Sequence, residues 1–198
     1  MVPPGSRCWS SMPWRSVRKP VDGLCGLARL SVVTARVEIR PGSAADLGAL
    51  GAVLGQRHYF TDHLARQQRG DGVLLVAWLD DRPVGDGFLA GTAAEEPELR
   101  RHLPGVPRLE HLEVLEPLWR RGIGTALIRA AEDAARRLGH ERLVLAVGID
   151  NPGARRLYER LGYADWGRGT IVGTWVEYNH DSPAVTRSET CNVLVKRL

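Results

Sequence analysis

From residue 35 to the end of the chain, apolar residues recur with the periods of strands and helices. Val37 and Ile39 alternate with charged neighbours, which predicts a half-buried first strand. Between residues 127 and 138 apolar positions fall three or four apart, which predicts an amphipathic helix that Gly139 ends. The pattern as a whole predicts the order β-α-α-β-β-β-α-β-α-β-β, with a polar loop over 93–106. Further strands are expected at 73–78, 84–92, 109–115, 143–147, 170–178 and 191–195, and further helices at 47–54, 60–68 and 151–161.

The first 34 residues lack this periodicity. They hold prolines at positions 3, 4, 13 and 20 among scattered Ser, Arg and Trp residues. Arg29 interrupts their longest apolar stretch, which argues against a secretory signal peptide. We therefore expect residues 1–34 to be a disordered extension or the product of an upstream mis-start, and residues 35–198 to form one folded domain.

A strand, a turn with two glycines and an amphipathic helix follow one another between residues 109 and 138. Gly122 and Gly124 lie where the helix begins, directly after Arg120 and Arg121. The first turn of a helix leaves N–H groups without intrahelical partners, and glycines let a phosphate approach those groups closely. The segment lacks the third glycine of a Rossmann fingerprint and the Gly-Lys-Ser/Thr of a P-loop. Taken alone, it predicts either an anion-binding turn or an ordinary tight turn.

Two segments together resemble the GNAT superfamily of acetyl-CoA-dependent N-acetyltransferases. LEHLEV at 109–114 and RRGIGTAL at 120–127 resemble its motif A, and VGIDNPGARRLYERLGY at 147–163 resembles its motif B. The likeness covers about residues 35–178. One departure is Trp119, which stands where the family pattern has Gln or Arg, so a side-chain contact to the coenzyme from that position is in doubt.

The resemblance implies an α+β fold of three layers. Its mixed, mostly antiparallel central sheet has about seven strands, is splayed between strands four and five, and is flanked by about four helices. Acetyl-CoA, the acyl donor, would lie in the splay with its pyrophosphate at the turn, and Asn151 would contact the pantetheine arm or cap its own helix. The implied coenzyme contacts are Leu112, Val114, Arg120, Arg121, Gly122, Ile123, Gly124, Thr125 and Asn151.

Amine acetylation needs a proton acceptor for the amine and benefits from a proton donor for the departing thiolate. The family places a general acid at the position of Tyr158, close to the coenzyme sulfur. The residue type alone equally allows a tyrosine that only packs in the core.

For the base, Glu110 is the predicted residue, since a strand period of two groups it with Leu112 and Val114. A bulge, which strands of the family have here, would change this register and favour His111 or Glu113. Glu110 could also serve only as an ion-pair partner for an arginine, and the proton could leave directly through water.

The resemblance places the acceptor amine between the first two helices, the loop before strand four and the last hairpin. These segments carry acidic and aromatic residues, which suit a cationic small molecule or peptide and equally suit an ordinary surface. They are His58, Tyr59, Phe60, Asp62, His63, Glu95, Glu96, Glu98, Trp175, Glu177, Tyr178 and His180. The alternative function is a non-catalytic acyl-CoA-binding sensor or scaffold, which Trp119 favours and Tyr158 opposes.

The charge distribution and the cysteine content narrow the classes of partner, metal site and cellular location that the sequence allows. The net charge of +4 equals that of residues 1–34, so residues 35–198 are neutral overall and a nucleic-acid partner, through a basic tail, is disfavoured. No apolar run reaches the roughly 18 residues of a membrane span. The odd set Cys8, Cys25 and Cys191 predicts no disulfide framework and no metal site, and favours a cytoplasmic protein. A homodimer stays open.

Overall fold

The computed structural model describes residues 37–91, 94, 96–179 and 182–198, and all their side chains except those of 175–185. The predicted extension 1–34 lies outside the described residues. The strands are β1 Val37–Pro41, β2 Gly72–Leu79, β3 Arg82–Ala90, β4 Arg108–Val114, β5 Arg142–Gly148, β6 Ala164–Asn179 and β7 Ser182–Arg197. The helices are α1 Leu47–Val53, α2 Arg57–Gln68, α3 Pro97–His102, α4 Ile123–Arg137 and α5 Pro152–Arg160, with short 3-10 turns at Ala44–Asp46 and Glu116–Leu118.

Two elements differ from the prediction. Helix α3 lies in the segment 93–106 that was expected to be a loop. Pro97 opens this short helix, and Leu99 is buried against Val144 and Ala146 of β5. Six residues with one apolar anchor are too few to show a helical period, which explains why the sequence pattern missed it. The last hairpin is also longer than predicted, with 16 residues in each strand.

The seven strands form one sheet in the order β1-β2-β3-β4-β5-β7-β6. Every neighbouring pair is antiparallel except β4 and β5, which are parallel. These two strands share one register pair, Arg108 with Val144, and the Val144 amide donates to the Pro107 carbonyl at 3.1 Å. Beyond that pair the strands diverge, which confirms the predicted splay between strands four and five.

Helices cover both faces of the sheet. On one face, α4 and α5 pack over the odd-numbered residues of β5, with Leu127 and Ile128 fully buried beside Leu145. On the other face, Phe60 of α2 packs over Leu74 of β2, and α3 covers β5 and β7. Each fully buried large apolar side chain contributes roughly 1.5–3 kcal/mol, so these layers hold the splayed strands in place.

Two further observations bear on the expectations from composition. Across the described part of the chain, none of the helices is both long and apolar enough to cross a bilayer. Cys191 is fully buried, while the other two cysteines lie outside the described residues. The expectation that the cysteines form no disulfide framework stays a prediction.

Candidate active site

The turn between β4 and α4 leaves main-chain donors without intrahelical acceptors. Arg120 and Gly122 have left-handed φ angles of 61° and 85°, and Gly122 is the N-cap residue of α4. The first bond within the helix runs from the Ala126 amide to the Gly122 carbonyl at 3.0 Å. The amides of residues 123–125 precede that bond, at the positive end of the helix dipole. This is the arrangement that binds phosphate groups.

The space beside this turn is open. A Cβ added at Gly122 would meet no atom within 4 Å, and one at Gly124 would meet only Leu157 Cδ2 of α5 at 3.8 Å, an ordinary contact. Gly122 is required by its positive φ, whereas nothing in the fold requires a glycine at 124. A glycine inside a helix is destabilising by roughly 0.5–1 kcal/mol relative to alanine, and at this turn the missing side chain leaves the main chain open to close approach.

Trp119, where the sequence departs from the family pattern, makes a bond that the sequence did not reveal. Its indole Nε1 donates to the Val114 carbonyl at 2.6 Å. The Leu115 amide donates to Val84 of β3, so by strand alternation the main chain of Val114 faces the splay. The Trp119 side chain thus occupies the Val114 carbonyl, one of the main-chain acceptors on the side of β4 where the coenzyme is predicted to bind. The Val114 amide and the main-chain groups of Leu112 point to the same side of β4, towards the splay.

Strand β4 bulges at His111. The register with β3 moves from Phe88–Glu110 to Gly87–Leu112, and His111, the extra residue, has a φ of 47°. Leu112 and Val114 therefore pack towards α4, whereas Glu110 is ion-paired with α2 on the opposite face. The predicted grouping of Glu110 with Leu112 and Val114 is wrong, because the bulge breaks the period of two.

Glu110 is held between two arginines. Its carboxylate is 3% exposed, and it accepts one bond from Arg108 at 2.6 Å and one from Arg66 at 3.2 Å. Arg66 reaches it from α2, where its guanidinium also lies over the Phe88 ring. The ion-pair role is therefore observed. The role of Glu110 as the general base stays a prediction.

A second charged cluster lies beside it on the same face of the sheet. His111 Nε2 is 3.5 Å from Asp86 Oδ2 and 3.3 Å from Glu113 Oε2. Gln56, at the start of α2, donates to the same Glu113 oxygen at 3.0 Å. Complete burial raises the pKa of Asp86 above its ordinary value, and His111 opposes this shift. The sequence had named His111 and Glu113 only as alternative bases, and it gave no signal for Asp86.

The two predicted residues of motif B lie in α5 and at its N-cap position. Tyr158 is 1% exposed and belongs to the same core as Ile123 and Val114. Asn151 caps α5 by accepting the Ala154 amide on its side-chain oxygen at 3.0 Å. Its capping role is confirmed, while contacts from Asn151 and Tyr158 to a coenzyme stay predictions.

The residues predicted for the acceptor side separate into groups. The ring centroids of Tyr59 and His63 are 4.0 Å apart, and those of Tyr59 and His111 are 4.3 Å apart. Tyr59 therefore lies beside the charged cluster. Phe60 is buried in the core, whereas His58 and Asp62 are exposed. Glu95 and His180, and the side chains of Trp175, Glu177 and Tyr178, lie outside the described part. A cavity of about 410 Å³ between α3 and β6 is lined by Glu96, Pro97, Glu98, Thr170, Ile171, Val172 and Thr174.

The sequence and the fold both have known relatives. The model of the acetyltransferase (GNAT) family matches residues 47–163. An uncharacterized N-acetyltransferase of Methanocaldococcus jannaschii is 47% identical over 45 residues, which make up 23% of this chain and 20% of that protein. The aligned segment is thus short, and it says little about the activity of either whole protein.

Solved structures share the architecture at low identity. A ribosomal-protein-alanine N-acetyltransferase from Brucella melitensis matches with a TM-score of 0.61 at 19% identity, over 81% of this chain and 99% of its own. The PaiA N-acetyltransferase from Thermoplasma acidophilum, in complex with coenzyme A, matches with 0.58 at 18%, over 82% and 99%. A GNAT family acetyltransferase from Elizabethkingia anophelis with acetyl-CoA bound matches with 0.54 at 16%, over 82% and 98%. These likenesses show the fold, and because the family model spans more than half of the sequence, the chain belongs to the GNAT family of acetyltransferases.

Proposed function

We propose that this acetyltransferase moves an acetyl group from acetyl-CoA to a primary amine, by direct attack within a ternary complex. The observation that carries the proposal is the opening between β4 and β5, which ends beside the free amides of residues 123–125. The pyrophosphate would bind these amides, with Arg120 and Arg121 at the rim. The pantetheine arm would bond to the main chain of β4 as an added strand does.

The side chain of Tyr158 is proposed as the general acid. It comes from α5, which packs in the same core as the residues that border the splay. A phenol there can donate its proton to the thiolate as the C–S bond breaks. Burial keeps bulk water away from this proton transfer.

The amine proton is proposed to leave through water on the α2 face of β4. Each oxygen of Glu110 already accepts an N–H group from Arg66 or Arg108, and these two positive charges stabilise the carboxylate against taking up a proton. In this scheme Glu110 fixes the two arginines beside the acceptor path. A direct base role for Glu110 predicts a different result, since Glu110→Gln would then lower kcat by about 100-fold or more.

The acceptor is proposed to approach from the face that carries α1, α2 and α3. This face holds the charged side chains of β4 and the cavity bordered by Glu96 and Glu98. Acidic groups there would attract a cationic amine, small molecule or peptide. A cytoplasmic location, a homodimer and the lack of nucleic-acid and membrane partners all stay predictions.

The test is turnover of acetyl-CoA against a broad panel of amines, followed by release of free thiol. Tyr158→Phe should lower kcat by roughly tenfold or more with little change in coenzyme affinity. Tyr163→Phe is the matched control, because its ring packs against that of Tyr158 at 6.0 Å in the same core. An unchanged kcat for Tyr158→Phe would remove the acid role. Coenzyme binding without thiol release for every amine would favour the non-catalytic sensor.

A further inference from the structure

The cluster of Asp86, His111 and Glu113 brings three potential metal ligands to one point. One nitrogen of His111, Nε2, faces both carboxylates, and the three ligand atoms lie within 4.8 Å of one another. Asp86 and His111 are buried, and Glu113 is half-buried. Two carboxylates therefore meet the same imidazole nitrogen.

The backbone forces two negative side chains together. Asp86 and Glu113 are direct partners in the β3–β4 register. Like charges at directly opposite positions of an antiparallel pair are destabilising, so this pair calls for a positive charge between them. The bulge places His111, the extra residue of β4, beside that pair.

Asp86 supplies the second observation. Its side chain is completely buried, and among the described residues neither oxygen has a hydrogen bond of good geometry, although the polar groups of His111 and Tyr59 face it. A buried carboxylate is ordinarily hydrogen-bonded or coordinates a metal, because burial without either is costly. The Asp86 carboxylate is aimed at the His111 nitrogen, which makes it a ready ligand at the same point.

The two distances from His111 are those expected between ligands of one metal ion. Charge-assisted N–H···O bonds are about 2.7–2.9 Å long, whereas the two distances from His111 Nε2 are 3.3 and 3.5 Å. Two ligands of a tetrahedral ion with bonds of 2.0–2.2 Å stand roughly 3.3–3.6 Å apart. The bond from Gln56 to Glu113 would hold that ligand in place, as outer-shell partners of metal sites do.

We propose that Asp86, His111 and Glu113 form a binding site for a divalent cation of the Zn²⁺ class. One imidazole with two carboxylates suits Zn²⁺, Co²⁺ or Mn²⁺ better than Mg²⁺, which prefers oxygen ligands alone. The site lies on the α2 face of β4, and it does not depend on acyl transfer. The sequence predicted no metal, since that prediction rested on the cysteines.

The test uses the full chain, stripped with a chelator and dialysed against buffered Zn²⁺ in the absence of coenzyme, with bound metal measured by mass spectrometry. We expect one equivalent of tightly bound Zn²⁺. Asp86→Asn and Glu113→Gln keep side-chain size, and each removes a direct ligand, so each should weaken binding by at least about 100-fold, the upper end of the loss caused by changing an outer-shell partner. His140→Asn, at a histidine that follows α4, is the control and should bind like the wild type.

Co²⁺ provides a second readout, because its absorption reports the ligand set. Wild-type protein with Co²⁺ should show d–d absorption without a thiolate charge-transfer band. Glu113→Gln should lose this d–d absorption. Glu113 is half-buried, so this variant keeps the test usable if Asp86→Asn fails to fold. No Zn²⁺ bound at micromolar concentration, or equal binding by all variants, would overturn the proposal. His111 would then be the cation that neutralises the pair, in its protonated form.

Discussion

The two sides of strand β4 are built from different chemistry. Towards α4, the predicted coenzyme side consists of main-chain groups and apolar residues, such as Leu112 and Val114, with glycines at the helix start. Towards α2, the other side consists of buried charges, with Glu110 between two arginines and Asp86 opposite Glu113. The difference teaches that a site built from main-chain groups can be recognised from a short sequence motif. A site built from side chains of distant segments has no such motif.

The largest effect is expected where the main-chain site is blocked. Gly124→Trp would fill the space beside the helix start, so coenzyme affinity should fall by about 100-fold or more, in isothermal titration. Gly48→Trp is the control, because Gly48 is an exposed helical glycine with no atom within 4 Å of an added Cβ. It should bind coenzyme normally. If Gly124→Trp bound equally well, the phosphates would have to lie elsewhere.

The charged side should show its effect in stability. Arg108→Met removes one partner of the buried Glu110, and breaking a buried pair typically destabilises by about 3–5 kcal/mol. Arg155→Met breaks the surface pairs with Glu159 and Asp165, each worth only about 0–1 kcal/mol. Urea unfolding of both variants measures the difference. Equal losses would mean that solvent reaches Glu110 and that the two sides of β4 differ less than the structure indicates.

The smallest effect is expected at Trp119, which joins the two sides of the turn. Trp119→Phe keeps an aromatic ring and removes the hydrogen bond to the Val114 carbonyl. The free energy of unfolding should therefore fall by about 1 kcal/mol. Coenzyme affinity should fall by no more than about threefold, because the phosphates would rely on main-chain amides.

Trp166→Phe is the matched variant for this measurement. Its indole also donates to a main-chain carbonyl, that of Gly169 at 2.7 Å, but it lies in β6. Its coenzyme affinity should not change. A tenfold loss in Trp119→Phe, seen by titration, would instead assign Trp119 a direct contact with the coenzyme.

Much of the fold could be predicted because its signals are local. Alternation and helical periods marked every strand of the sheet and four of the five described helices, and the motifs at 109–127 and 147–163 placed the splay. The sequence could offer helix capping as one of two roles for Asn151, because a side chain that accepts the amide three residues on is a local feature.

The rest depended on contacts between distant segments. The bulge at His111 follows from how β4 pairs with β3, and it changed the face on which Glu110 lies. Asp86 sits in a strand whose residues are nearly all buried, so its charge could not be assigned a partner until the register was known. Arg66 meets Glu110 across 44 positions, a separation at which sequence patterns carry no information.

The single register pair between β4 and β5 also affects the local unfolding of the sheet. Strands β1–β4 and β5–β7 each keep continuous antiparallel ladders, and α4 bridges the two parts through the core. Amide exchange in the ligand-free protein should therefore show two protection units of different stability. A pantetheine arm lying between them would add main-chain bonds at the weakest line of the sheet. The acyl donor would then be a structural component of the folded state as well as a reactant.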